Sequence, residues 1–77
     1  MEGIEVRLID LPTSIRGFTA YSEDAEGESI FTIVLNARMD RATQLRAYEH
    51  ELIHIKRMDF SRMIPADRIE AVRHAAL

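Results

Sequence analysis

Two histidines four residues apart, with a glutamate beside the first, make up His50-Glu51-Leu52-Ile53-His54. On an α-helix, residues i and i+4 lie one turn apart on the same face. The spacing aims two imidazoles at one point, where a zinc ion fits, and leaves a carboxylate next to it. In a chain of 77 residues with 3 histidines, chance produces this pattern about one time in a hundred, so a metal site is the first reading. The competing reading makes His50 and His54 surface or capping residues and gives Glu51 an ion pair with Lys56 or Arg57.

A catalytic zinc usually takes three protein ligands and a water. The third ligand is expected beyond the helix, among Asp59, Asp67, Glu70 and His74. Asp59 is only five residues past His54, too near to fold back cleanly, and Asp67 sits where helix capping already explains it. Glu70 follows apolar Ile69 and faces the first helix if two helices pack antiparallel. It ranks first, before His74 and Asp67; its competing role is a surface ion pair with Arg68 or Arg73. With zinc bound, the pKa of a coordinated water falls towards neutrality. Glu51 would then take the water's proton as general base and return it to the leaving amine. The zinc would polarise the scissile carbonyl and stabilise its oxyanion.

Composition narrows the field. The length fits one domain, residues 1–77, with a small core of the kind that a metal or a partner often supplements. There is no cysteine, which excludes disulfides and thiolate ligands and leaves histidine and carboxylate to hold any metal. No apolar run reaches membrane-spanning length. The N-terminus lacks the basic-then-apolar pattern of a signal peptide. A soluble, cytoplasmic protein is expected. Net charge is −3. Residues 1–36 hold Arg7 and Arg16 against seven acidic residues, for −5, and residues 37–77 hold eight basic and six acidic residues, for +2. That mixture is no nucleic-acid footprint, and solvated acidic loops with salt-bridged helices account for it.

The elements that must position the motif are legible in outline. Ile4 to Ile9 alternates apolar and charged residues, as a half-buried strand does. Pro12 marks the loop after it. Gly17–Tyr21 reads as a second strand with Phe18 and Ala20 on one face, and the acidic segment 22–28, with Gly27, as a hairpin loop. Ser29–Asn36 is dense in β-branched and aromatic residues and reads as a strand buried on both faces. At an edge beside the cleft it would pair with an extended peptide; its apolar character equally fits a central place. Asp40 is an N-cap candidate, its carboxylate accepting from the first free N–H groups. A helix should then run from about Arg41 to Met58, with Leu45, Tyr48, Leu52 and Ile55 as its apolar stripe and the histidines on another face. Residues 59–64 read as a loop, and Pro65 as the first residue of a second helix whose stripe is Ile69, Val72 and Ala76. The expected fold is α+β: a small three-stranded, largely antiparallel sheet packed against the H-E-x-x-H helix and a second C-terminal helix.

Several of these pieces together resemble the ImmA/IrrE family of zinc metallopeptidase-like proteins, found in phages and bacterial regulators. They are the strand ending Ile33-Val34-Leu35-Asn36, the helix segment Arg46-Ala47-Tyr48-Glu49-His50-Glu51-Leu52-Ile53-His54-Ile55, and Ile69-Glu70-Ala71-Val72-Arg73-His74-Ala75. The resemblance covers most of residues 17–76, and H-E-x-x-H is its specific part. It implies a zinc site of His50, His54 and Glu70, with Glu51 as base. It also implies a protein or peptide substrate, such as a helix-turn-helix repressor. This chain is shorter than family members usually are, and its segment from His54 to Glu70 is compact. Two functional expectations follow: a zinc-dependent metallopeptidase, or a zincin-like module that binds a regulatory protein without cleaving it. Neither calls for direct contact with nucleic acid or with a membrane.

Overall fold

The computed structural model describes residues 3–69. Of the expected second helix, which was to start at Pro65, the part from Glu70 on, with His74, lies outside them. The described chain runs β1 (Gly3–Ile9), β2 (Gly17–Glu23), β3 (Ser29–Asn36), α1 (Arg41–Lys56) and β4 (Met63–Pro65), with short 3-10 turns before and after β4.

The strands form one four-stranded sheet in the order β1-β3-β2-β4. This corrects the expected three-stranded, largely antiparallel sheet. β2 and β3 pair antiparallel, joined by a tight hairpin. β1 instead runs parallel to β3, and β4 parallel to β2. Two antiparallel strands in the middle leave one edge each, and the chain segments before and after them fill those edges. Met63 and Ile64 of β4 were expected as loop and Pro65 as the start of a helix, since three residues carry no periodicity. Pro65 ends this edge strand, which suits a residue that cannot donate to a ladder, and also stands as N-cap of the 3-10 turn Ala66–Arg68.

β3 is therefore central, and pairing with a substrate peptide at its edge is ruled out because both of its edges are taken. Its alternate residues Phe31, Ile33 and Leu35 pack with Ile55 of α1 and Met63 of β4, bordered by Tyr21, Ala47, Tyr48 and Leu52. Val34 is fully buried on the opposite face. The helix lies over β2 and β3. Leu45 was expected in the buried stripe, but it sits on the β1 side of α1, beyond the reach of the core, and is 51% exposed. On β2, Phe18 and Ala20 do share a face, and Thr19 and Tyr21 turn to the helix side, where both partner strand residues, Ile33 and Phe31, face the core.

Four local devices fix the frame. Asp24 Oδ1 accepts from the backbone N–H of Glu26 and Glu28, and Gly27 takes a positive φ of 79°, closing the hairpin. Gly17 admits close approach, because a Cβ there would stand 2.8 Å from the Val34 carbonyl oxygen. Asp40 does occupy the N-cap, but its carboxylate accepts the Thr43 hydroxyl and makes no cap bond to a helix N–H; that hydrogen bond holds its pKa below the usual carboxylate range. The helix stops two residues before the expected Met58. Met58 takes the left-handed conformation (φ 53°), its N–H donates to Ile55 O, and the Asp59 N–H donates to His54 O. This is a Schellman closure with methionine where glycine is usual.

Candidate metal centre

α1 carries all three residues of the motif. His50 is exposed, His54 is half-buried, and Glu51 is 8% exposed and faces the sheet. The i, i+4 spacing brings the two imidazoles into contact. Their Nε2 atoms lie 3.0 Å apart, with ring centroids at 4.5 Å and planes at 90°. Ligand atoms of His50, Glu51 and His54 all lie within 4.8 Å of one another. Two nitrogens 3.0 Å apart can both reach one zinc ion at the usual Zn–N distance of about 2.0–2.1 Å, so the pair fits the group the motif implies.

The helix end supplies a neighbour. The Schellman closure turns Asp59 back so that its Oδ2 lies 3.4 Å from His54 Nδ1. That nitrogen is buried and has no hydrogen bond. Asp59 thus offers a carboxylate to an Nδ1–H, which would leave Nε2 with its lone pair toward the cluster. A carboxylate on the far nitrogen of a ligating histidine is a recurrent means of fixing ring and tautomer. Sequence reasoning weighed Asp59 only as a ligand; the structure places it behind the ring.

Glu51 is anchored from the sheet. Thr19 Oγ1 of β2 donates to Glu51 Oε1 at 2.9 Å, and Thr19 is itself fully buried. Burying a carboxylate without a donor is unfavourable, and Thr19 supplies one. Glu51 makes no ion pair with Lys56 or Arg57, and its second oxygen accepts no hydrogen bond from the described residues. Thr19 was missed in the sequence, where a threonine in a strand is unremarkable; an alternation placing it on the helix side was the one available signal.

A cleft of about 440 Å³ opens beside the motif, with Arg16 and Gly17 on one wall and Thr43, Arg46, His50 and Glu51 on the other. Arg46 donates to Thr43 Oγ1 at 3.3 Å. Arg16 is exposed and makes no ion pair with the described residues. Two arginines therefore line the cleft beside the motif.

Of the candidates for a third ligand beyond the helix, Asp67 is exposed in the 3-10 turn Ala66–Arg68 and does not join the cluster. Glu70 and His74 lie outside the described residues. No helix among the described residues is long and apolar enough to cross a membrane. The chain matches no protein-family model, no curated protein and no solved structure.

Proposed function

We propose that the chain is a zinc-dependent hydrolase of peptide bonds. His50 and His54 would hold the metal and Glu51 would act as general base. The observation that carries this is the position of Glu51: beside the histidine pair, lining the cleft, and held from the sheet by Thr19 while its other oxygen takes no hydrogen bond from the described residues. Bound zinc would supply Lewis acidity and a water of lowered pKa. Glu51 would accept a proton from that side of the cleft and pass it to the leaving amine. Thr19 is a positioning residue, and Asp59 would steady the His54 ring. The resemblance to the ImmA/IrrE family supports Glu70 as third ligand and a helix-turn-helix repressor as substrate. The burial of Glu51 favours a second reading, a metal-binding module that engages a protein partner without cleaving it.

Metal analysis tests the centre. The purified chain should bind one zinc per molecule, and His50→Ala or His54→Ala should each abolish stoichiometric binding. Metal binding to a site absent from the unfolded chain stabilises the fold, by about 2.7 kcal/mol at a hundredfold excess over Kd. For a domain of this size that corresponds to roughly 10–20 °C in melting midpoint. A chelator should produce that drop, and an unchanged melt together with zinc-free protein would sink the proposal.

The two arginines bear on substrate choice. They should favour peptides that carry a carboxylate next to the scissile bond, by charge-assisted hydrogen bonds. With paired peptides differing only in Glu or Gln there, wild type should prefer the acidic one by about tenfold in kcat/KM. Replacing both Arg16 and Arg46 by alanine should erase the preference while leaving zinc content unchanged.

A further inference from the structure

β1 is an edge strand of an unusual kind. Its seven residues pair only with β3, so its outer backbone edge has no partner among the described residues. Its apolar residues are also uncovered: Ile4 is 45% exposed, Val6 49% and Leu8 56%. All three lie on the helix face of the sheet, because they pair in register with Phe31, Ile33 and Leu35 of the core. Half-exposed Leu45 continues the patch on α1, and Val6, Leu8, Leu45 and Tyr48 border a shallow groove there. Exposed apolar edges invite pairing, and stable monomers usually block them with charge, proline or a bulge. β1 has no such block on this face.

The opposite face of β1 carries one acid and one base. Glu5 and Arg7 point the same way, with Arg7 Nη2 4.0 Å from Glu5 Oε2 and both side chains about 60% exposed. Placed antiparallel to a copy of itself about a two-fold axis at Val6, the strand is complementary on both faces. Val6 meets Val6, Ile4 meets Leu8, and Glu5 meets Arg7 twice over. Slipping the register by two residues either way sets Glu5 against Glu5 or Arg7 against Arg7. Slipping by one puts charged residues beside apolar ones. One register alone satisfies every cross-strand pair.

We propose that the chain forms a two-fold dimer by antiparallel pairing of β1 with β1 of a second copy, Val6 opposite Val6. The contact is isologous, as a closed dimer requires. It joins two four-stranded sheets into one of eight strands and places both helices on the same side. Both clefts stay open, since β1 is the strand farthest from β4 and two strands away from Thr19. The proposal does not depend on the hydrolase reading.

Sedimentation and light scattering on the 77-residue chain test it, and zinc analysis runs separately. Wild type should show twice the 8.9 kDa chain mass. Val6→Lys sets two ammonium groups face to face and should give monomer. Glu5→Arg alone and Arg7→Glu alone each create like-charge pairs at two symmetric positions and should weaken the dimer by about tenfold. The double variant E5R/R7E restores both pairs and should restore the dimer. All these side chains are exposed, so far-UV circular dichroism should show an unchanged fold in every variant. Because the chain has no cysteine, Val6→Cys gives a clean cross-link: opposed residues in an antiparallel pair lie about 4.5–5.5 Å apart at Cα, within disulfide reach. Rapid disulfide-linked dimer on air oxidation supports the register. A wild type that stays monomeric overturns the proposal. So does a double variant that stays as weak as its singles, or a Val6→Lys variant that still dimerises.

Discussion

Replacing Asn36 by alanine is expected to destabilise the domain by about 3–5 kcal/mol, the largest stability effect of any single polar substitution in it. Asn36 ends β3 and is fully buried. Its Nδ2 donates to the carbonyls of Leu11 (3.3 Å), Pro12 (2.9 Å) and Ile15 (2.8 Å). Its Oδ1 accepts from the N–H of Leu11 (3.2 Å) and of Arg38 (3.0 Å). Its own carbonyl accepts from buried Gln44 Nε2 (3.1 Å), which ties strand to helix. One side chain thus ties down the backbone of Leu11, Pro12 and Ile15 in the β1–β2 connection. Alanine would leave several of those groups without partners, at about 1–3 kcal/mol for each that stays dry. A domain of this length holds only roughly 4–12 kcal/mol in all. Urea unfolding would measure the loss. Asn36→Asp should do no better than alanine, since a carboxylate cannot donate to three carbonyl oxygens. A midpoint close to wild type for either variant would show that water replaces the amide. The same loop carries Arg16 to the cleft, so the variant should disturb that wall before it disturbs the histidines.

Glu51→Gln should lower the hydrolytic rate by about a hundredfold to ten-thousandfold while leaving the zinc content unchanged. The amide keeps an oxygen for the Thr19 hydroxyl, so stability should move by less than about 1 kcal/mol. It loses the capacity to take a proton, and that is the whole of the intended change. The measurement is cleavage of a helix-turn-helix repressor by the zinc-loaded chain, followed by mass spectrometry. Thr19→Val is the companion. It removes the donor that aims Glu51 and should reduce kcat more than it raises KM, with the base still present. A glutamine variant as active as wild type sinks the proton-transfer role. A wild type that binds zinc and a repressor but cleaves nothing leaves the binding module as the correct reading.

The sequence made the centre of this molecule readable and its periphery hard to read. Ser29–Asn36 was legible because five consecutive β-branched or aromatic residues, Ile30 to Val34, admit little else, and α1 because no glycine or proline interrupts it. The hairpin between β2 and β3 followed from its acidic, glycine-bearing loop. Strand order did not follow. Parallel pairing of β1 with β3 links Ile4 to Phe31 across the chain, and local periodicity carries no information about such partners. β4 has three residues and one of them is Pro65, too little pattern to register. At the site, the spacing of His50 and His54 was enough to place their rings together. Glu51 was read by its neighbours in sequence, whereas its orientation is set by Thr19, thirty-two residues earlier. The role of Asp59 depended on Met58 adopting a conformation that methionine rarely takes.

The placement of β1 also sets an order of events in time. The β2–β3 hairpin closes over a few residues, from Glu23 to Ser29, and loops of that size close in well under a microsecond. β1 has to find β3 from the far side of that hairpin, and α1 has to settle on the sheet before Glu51 can meet Thr19. Longer closures carry more entropy to overcome. The hairpin is therefore expected to form first, with the helix and the first strand condensing on it. On that order the edge that we assign to self-association should be among the last parts of the sheet to form, which pulsed hydrogen exchange would show as late protection of β1 amides.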